Sequence, residues 1–146
     1  MGSRTRARAR ALQVLYAWEM RGAAEPLRQV DRELVGPDEP PVDRDVQQYT
    51  HLLLDTLERD RHDIDARIEA LADNWRLSRM TTVDRNILRV AAAEMVYIDE
   101  VPLRVSLHEA MRLAEWFGTE ESRRFVNGVL DALLHQLEPE QLSDAR

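Results

Sequence analysis

Apolar residues recur at intervals of three and four along most of this 146-residue chain. This spacing places them on one face of an α-helix, whereas a half-buried strand would alternate at every second residue. No segment alternates convincingly at period two, and the sequence therefore predicts an all-α fold of about seven helices. A single domain over residues 1–146 is the simplest organisation, because a chain of this length can bury about two-thirds of its unfolded surface.

Glycine and proline divide the chain into the predicted helices. Two helices precede a proline-rich loop at 36–41, the first ending at about Arg21 and the second spanning Leu27 to Leu34. A wide apolar surface over Val83–Ile98 predicts a central, largely buried helix. The other helices after the loop are predicted from apolar stripes at Val46–Leu57, Ile64–Trp75, Leu107–Phe117 and Phe125–Leu137.

Capping residues support several of these boundaries. Thr81 and the acidic residue three positions later are spaced like a capping box at the start of the central helix. Glycine is favoured at the position directly after a helix, which Gly118 occupies, and threonine is favoured at a helix N-cap, which Thr119 provides for the last helix. That helix is expected to end before Pro139, with residues 138–146 forming a polar tail.

Several classes of function are disfavoured by the composition. The chain has no cysteine, which excludes thiolate metal sites and cysteine nucleophiles. Its four histidines form no metal-ligand motif, and its five glycines form no phosphate-binding loop. No stretch approaches the roughly 20 apolar residues that a membrane span needs. The sequence therefore predicts a cytoplasmic protein that is not an enzyme and has no metal, no cofactor and no membrane contact.

The first ten residues differ in charge from the rest of the chain. They contain Arg4, Arg6, Arg8 and Arg10 and no acidic residue. The rest of the chain therefore holds 16 of the 20 basic residues and all 27 acidic residues. A polyanion would be attracted by this arm and repelled by the remainder. On a helix, Arg4 and Arg8 would share one face, and Arg6 and Arg10 would share nearly the opposite face. An RNA-binding arm that is flexible and disordered when free is therefore expected, and the alternative is a solubilising terminus.

A second candidate site begins at Phe125, directly after Arg123 and Arg124. The ring is spaced like a core residue with Val129 and Leu133. The alternative is an exposed ring that stacks on an unpaired base, with the two arginines holding phosphates. A glycine inside a helix costs about 1 kcal/mol relative to alanine. The Asn-Gly pair that follows Phe125 therefore indicates either close packing against the backbone or a surface in use.

The succession of segments resembles the bacterial NusB family of transcription antitermination factors. The likeness extends from the arm to about Leu133 and is most specific over residues 83–131. It is carried by the arginine-rich arm, ALQVLYAW at 11–18, VDRNILRVA at 83–91, Val-Pro at 101–102 and FGTEESRRFVNGVLD at 117–131.

The resemblance implies two packed helical bundles and a non-enzymatic adaptor. Such a protein binds boxA RNA together with NusE, a ribosomal small-subunit protein, within the RNA polymerase antitermination complex on ribosomal RNA operons. The resemblance assigns RNA contact to the four arm arginines and to Phe125, with Glu121 close to the RNA. Asp84 and Tyr16 are expected to contact the protein partner.

Two further interpretations remain open from the sequence. NusB-like domains also occur ahead of ribosomal RNA cytosine methyltransferases, so an accessory RNA-binding domain without catalysis is one alternative. The other is a structural helical dimer with an incidental arm. Some members of the family form homodimers that cover the RNA-binding surface, and a homodimer is therefore a possible state of this chain.

Overall fold

A computed structural model describes residues 2–73 and 75–144, with side chains described up to residue 138. No strand occurs within these ranges, which confirms the predicted all-α fold. A short 3-10 turn, Leu77–Arg79, precedes the fourth helix. The helices are α1 (Ser3–Met20), α2 (Leu27–Leu34), α3 (Arg44–Leu71), α4 (Thr82–Tyr97), α5 (Leu103–Phe117) and α6 (Glu120–Asp144).

The helices pack as two bundles that meet along α4. The first three helices contact one another and form one bundle, and the last three form the other. Both α1 and α3 also pack against α4, which joins the two bundles. Every residue of α4 from Asn86 to Met95 is buried. The prediction of a central, largely buried helix over Val83–Ile98 is therefore confirmed.

The two helices predicted at Val46–Leu57 and Ile64–Trp75 form one element, α3. A kink at Asp60, with φ −114° and ψ 15°, marks the junction between them. Trp75 does not belong to the second stripe, because α3 ends at Leu71. The backbone then turns through Asp73, whose φ of 44° lies in the left-handed region. This turn separates Trp75 from the buried face of α3 and leaves its side chain exposed.

The amino-terminal arm is helical, in place of the disordered segment that its charge pattern predicted. Residues 3–10 form the first turns of α1, and Thr5, Ala7 and Arg8 are buried against the body of the protein. These contacts stabilise turns that a short isolated helix could not maintain in water.

The carboxyl-terminal helix also extends further than expected. α6 continues to Asp144, whereas the sequence pattern placed its end before Pro139. A proline inside a helix loses one hydrogen bond and its ring crowds the carbonyl group four residues earlier, so the sequence pattern favoured an earlier end. Residues 145–146 of the predicted polar tail lie outside the described residues.

The junction between α5 and α6 depends on Gly118. The main-chain N–H of Thr119 donates to Ser122 Oγ (3.0 Å), and that of Ser122 donates to Thr119 Oγ1 (3.2 Å). These bonds confirm Thr119 as a cap and bring Ser122 against Gly118. A Cβ atom at Gly118 would lie 2.6 Å from Ser122 Cβ and 2.9 Å from the carbonyl oxygen of Ala114. Only glycine fits between these atoms without a shift of the backbone.

Two glycine substitutions are expected to have opposite effects on stability. Gly118→Ala should lower the free energy of unfolding by about 1–3 kcal/mol, because the added methyl group overpacks the junction. Gly128→Ala should raise it by up to about 1 kcal/mol, because α6 gains helix propensity and a Cβ there meets no atom within 4 Å. Urea-induced unfolding measures both values. Equal effects of the two substitutions would contradict the close approach at Gly118.

Candidate nucleic-acid interface

The four arm arginines lie on α1, and each has a carboxylate partner. The exposed and buried pairs differ in what they leave available to a ligand, because an exposed ion pair exchanges readily with other charges. The pairs and their N···O distances are Arg4–Glu100 (2.8 Å), Arg6–Asp43 (3.8 Å), Arg8–Glu94 (2.8 Å) and Arg10–Asp31 (2.9 Å).

Arg4 and Arg6 lie on the surface, where an RNA phosphate can reach them. Their side chains are 47% and 46% exposed. Arg4 also lies over the ring of Tyr49, with its guanidinium carbon 4.7 Å from the ring centroid. Ion pairs this exposed contribute about 0–1 kcal/mol, so a phosphate can displace the carboxylates of Glu100 and Asp43 at little cost.

Arg8 is buried and does not belong to this surface. Its Nε donates to both Glu94 oxygens at 2.8 and 3.1 Å. The hydroxyls of Tyr49 and Ser106 donate to the same carboxylate. This buried cluster of Arg8, Glu94, Tyr49 and Ser106, which we call the Glu94 cluster, ties α1, α3, α4 and α5 together. The sequence prediction of RNA contact by Arg8 does not fit this placement, because the guanidinium is committed inside the fold.

Burial raises the pKa of Tyr49 well above its ordinary value, and the hydrogen bond to Glu94 acts in the same direction. The folded state therefore favours the neutral phenol. This contribution to stability is complete below the unfolded pKa of about 10 and is lost as the pH rises above it. The chain contains no lysine, so lysine titration does not add to the effect in this range.

Stability is therefore expected to fall at alkaline pH, and Tyr49→Phe should reduce the fall. Urea-induced unfolding of both proteins at neutral pH and above about pH 10 gives the comparison. Tyr16→Phe is the control, because this side chain is 45% exposed and lies outside the Glu94 cluster. Tyr97→Phe should also reduce the fall, because a hydrogen bond to Asp63 raises the pKa of Tyr97 to about 12. An alkaline loss that is identical in wild type and Tyr49→Phe would rule out Tyr49 as its source.

Arg10 is directed away from the exposed arginines. It lies between α1 and α2, where its Nε and Nη2 donate to the side chain and the main-chain oxygen of Asp31, both at 2.9 Å. The structure therefore separates the four arm arginines into two exposed ones, one buried one and one held at a different face.

Arg123 and Arg124 are exposed on α6, and neither forms an ion pair with any residue that the structure describes. Asn127 and Gly128, one turn later, are exposed as well. An atom added at Gly128 would meet nothing within 4 Å. Of the two interpretations of the Asn-Gly pair, the structure therefore favours an open surface over close packing against the backbone.

Phe125 is half-buried, between the two alternatives drawn from the sequence. One side packs against the core. The other meets Trp75 edge to face, with the ring centroids 6.3 Å apart and the planes at 68°. Trp75 is 54% exposed, so the pair presents aromatic surface to solvent.

The aromatic pair forms one wall of a groove that we call the Trp75 groove, with a volume of about 320 Å³. It brings together Asp84, Glu121 and Phe125, which the sequence assigned to two different partners. Glu121 is exposed, whereas Asp84 is 9% exposed. The groove is lined by Trp75, Arg79, Met80, Thr81, Asp84, Glu121 and Phe125.

Asp84 Oδ1 is buried and has no hydrogen-bond partner within the described structure. Its main-chain N–H donates to Thr81 Oγ1 (3.1 Å), which confirms the predicted helix cap. An unpaired buried acceptor costs about 1–3 kcal/mol, and more when charged. Asp84 therefore keeps an unsatisfied acceptor among the residues that line the groove.

Arg85 positions the segment that carries Trp75. Its Nη1 donates to the carbonyl oxygens of Leu77 (2.7 Å) and Met80 (2.8 Å), and its Nε donates to Glu19 (2.8 Å). Sequence reasoning missed Trp75, Arg79 and Met80 as groove residues. The neighbouring VDRN segment at 83–86 could have indicated them, because Arg85 holds the turn in which these residues lie.

Tyr16 lies at the same junction of α1 with α4. It is 45% exposed and precedes by three residues Glu19, which contacts both Arg85 and Asn86. Tyr16 and Asp84 therefore lie on neighbouring helices near one end of α4.

Metal-binding groups and membrane-spanning helices are both absent from the parts of the chain that the structure describes. Within these parts, no group of three or more histidine, cysteine or carboxylate side chains could hold a metal ion. None of the described helices is long and apolar enough to cross a membrane.

Comparison with known proteins identifies the family. The model of the NusB family matches residues 5–135. The transcription antitermination protein NusB of Acidothermus cellulolyticus is 44% identical over 133 residues, covering 91% of this chain and 88% of that protein. The NusB protein of Chloroherpeton thalassium is 38% identical over 135 residues, covering 92% of this chain. The chain spans 63% of the length of that relative.

The fold agrees with a solved complex of the antitermination factors NusB and NusE with double-stranded RNA. The superposed chain is 31% identical, with a TM-score of 0.79 over 90% of this chain and 96% of that one. Sequence and structure thus lead to the same family, as the order of the motifs predicted. The chain belongs to the NusB family.

Proposed function

We propose that this chain is a transcription antitermination factor that binds boxA-type RNA jointly with NusE and does not itself catalyse a reaction. The observation that carries the proposal is the surface of α6, where Arg123 and Arg124 lack carboxylate partners among the described residues and adjoin Phe125. The solved complex of a family member with NusE and RNA supports it. The role belongs to the cytoplasm and to the antitermination complex of RNA polymerase.

The RNA is bound by phosphate contacts and by stacking. Arg4, Arg6, Arg123 and Arg124 supply exposed guanidinium groups, which bind phosphates without reading the sequence. Phe125 and Trp75 offer aromatic surface on which an unpaired base can stack. Arg8 has no direct part in this arrangement.

NusE is bound beside the RNA, at the end of α4. The carboxylate of Asp84, which lines the groove, accepts a hydrogen bond from a donor on NusE, and the exposed ring of Tyr16 adds contact area. Since Asp84 and Phe125 line the same groove, the RNA and NusE meet there. Glu121, exposed at this meeting point, weakens RNA binding by repulsion when NusE is absent.

The salt dependence of RNA binding tests the phosphate contacts. If the four exposed arginines each neutralise a phosphate of a single strand, log K should fall with log salt at a slope of about −2.8. Arg123→Gln with Arg124→Gln should reduce this slope to about −1.4. Fluorescence anisotropy of a labelled boxA oligonucleotide gives both values.

A matched control replaces two exposed arginines elsewhere. Arg59 and Arg104, which are 66% and 75% exposed, each pair with a carboxylate outside the proposed surface. Arg59→Gln with Arg104→Gln should leave the slope close to that of the wild type. A salt-dependence slope near zero in the wild type, or equal slopes in the two double variants, would contradict the proposed interface.

The part played by NusE is tested in the same titration. Adding NusE should tighten boxA binding, and Asp84→Ala, which removes the acceptor, should reduce this gain by more than it changes the binding of boxA by the chain alone. Light scattering of the chain, with and without NusE and the oligonucleotide, separates the adaptor from a structural dimer. A dimer that persists when both ligands are present would favour the structural interpretation.

A further inference from the structure

A second charged cavity lies between α1, α2 and the start of α3, apart from the Trp75 groove. We call it the α2 cavity, and its volume is about 270 Å³. Ligand sites for drug-sized molecules commonly occupy about 300–1,000 Å³, so this one suits a small ligand. It is lined by Arg10, Arg28, Asp31, Arg32, Val35, Val42, Gln47, Thr50 and His51.

The lining is cationic although the chain as a whole has a net charge of −7. Three arginines and His51 surround a single carboxylate, that of Asp31. Asp31 is already engaged, because its oxygens lie 2.9 Å from Arg10 Nε and 3.5 Å from His51 Nε2. The lining therefore holds two arginines, Arg28 and Arg32, in excess of its carboxylates.

The two remaining arginines are available to a ligand. Arg28 pairs with Asp55, an exposed contact at 3.0 Å that lies outside the lining. Arg32 forms no ion pair with any of the residues described. Guanidinium groups bind phosphate oxygens in a planar, bidentate geometry. Two such groups converging on one cavity form a site for a phosphorylated anion.

The inner side of the cavity is rigid. The side chains of Arg10 and Asp31 are 19% and 12% exposed and fix each other across the α1–α2 contact. Thr50 is buried, and its hydroxyl donates to the carbonyl oxygen of Val46. A preformed wall lowers the ordering cost of binding.

The segment 38–45, next to the cavity, is acidic. It contributes Val42 to the lining and carries Asp38, Glu39, Asp43 and Asp45. A long polyanion that ran along this segment would meet these carboxylates. The valine side chains at 35 and 42 provide an apolar wall for an uncharged portion of the ligand.

We propose that the α2 cavity binds a small phosphorylated anion of nucleotide size, at a site separate from the proposed RNA interface. Arg28 and Arg32 hold the phosphate, and Arg10 contributes positive charge from the rigid side. Inorganic pyrophosphate and a nucleoside monophosphate share this phosphate chemistry and differ in their use of the valine wall.

Calorimetric titration of the full chain with pyrophosphate, and separately with AMP, tests the site at constant ionic strength. One saturable site per chain is expected for at least one of the two. Arg32→Gln should weaken its binding by about tenfold, the effect of losing one charge-assisted contact. Tighter binding of AMP would assign part of the affinity to the valine wall, and tighter binding of pyrophosphate would assign it to the arginines alone.

Arg59→Gln is the matched control, since it removes one exposed arginine outside the cavity. Absence of saturable binding, or equal weakening by Arg59→Gln, overturns the proposal. The boxA affinity of Arg32→Gln should equal that of the wild type. If it falls as much as the binding of the small anion, the cavity belongs to the RNA surface and the separate site is refuted. RNA binding through Arg123 and Arg124 is measured independently, so either idea can fail alone.

Discussion

Replacing Arg8 by methionine is expected to lower the free energy of unfolding by about 3–5 kcal/mol, because it leaves a buried carboxylate without its cation. The side chains of Arg8 and Glu94 are 6% and 1% exposed, so water cannot take over the role of the guanidinium. Urea-induced unfolding followed by far-ultraviolet circular dichroism measures the loss.

Two further variants separate the buried charge from a general effect of losing an arginine. Arg4→Gln breaks the exposed pair with Glu100 and should cost less than about 1 kcal/mol. Adding Glu94→Gln to Arg8→Met should recover part of the loss, because the amide oxygen still accepts a hydrogen bond while the uncompensated charge is gone. A cost of Arg8→Met as small as that of Arg4→Gln would contradict the Glu94 cluster.

The RNA affinity of Arg8→Met decides between a structural and a direct role. Measured at a temperature at which the variant remains folded, it should equal that of the wild type. A specific loss of affinity in the folded variant would instead support the sequence prediction that Arg8 contacts RNA.

The second large effect is expected at the aromatic pair, and it rests on the proposed function. Trp75→Ala should weaken binding of boxA RNA by roughly 5- to 150-fold, the equivalent of about 1–3 kcal/mol for one stacked base. Trp75 is 54% exposed, so its removal should lower the stability of the fold by much less than the removal of a buried tryptophan would. Fluorescence anisotropy with a labelled boxA oligonucleotide gives the affinity.

Matched substitutions make this result interpretable. Phe125→Leu keeps apolar volume against the core and removes the ring. It should therefore lower the free energy of RNA binding by more than it lowers the free energy of unfolding. Trp116, which is 45% exposed on α5 and outside the Trp75 groove, provides the control. An equal loss of affinity in Trp116→Ala, or none in Trp75→Ala, would exclude stacking at the groove.

The positions of the helices were predictable because apolar spacing and capping are local properties of the sequence. The central helix and the Thr81 cap were therefore expected. The continuity of α3 was not, since residues 58–63, between the two apolar stripes, are all polar. The end of α6 was misplaced because an internal proline usually kinks or ends a helix, whereas α6 continues past Pro139.

The candidate site was less predictable because its partners are distant in the sequence. Arg4, Arg6, Arg8 and Arg10 form a uniform tract as a string of letters, yet their carboxylate partners come from four separate segments. The pairing of Trp75 with Phe125 joins residues fifty positions apart. Family resemblance pointed to Phe125 and Asp84, whereas their meeting in one groove became visible only in the structure.

The Glu94 cluster has a consequence for the thermodynamics of RNA binding. Ordering a residue of a flexible segment costs about 1–2 kcal/mol of backbone entropy, and a disordered arm would incur that cost each time it closed on RNA. Because Arg8 fastens the start of α1 to three other helices, the backbone of Arg4 and Arg6 is ordered before RNA arrives. Binding through these two arginines should therefore show a small entropic penalty. The hydrogen-bonded amides of α1 from Arg6 onward should therefore exchange with solvent much more slowly than the amides of a disordered arm.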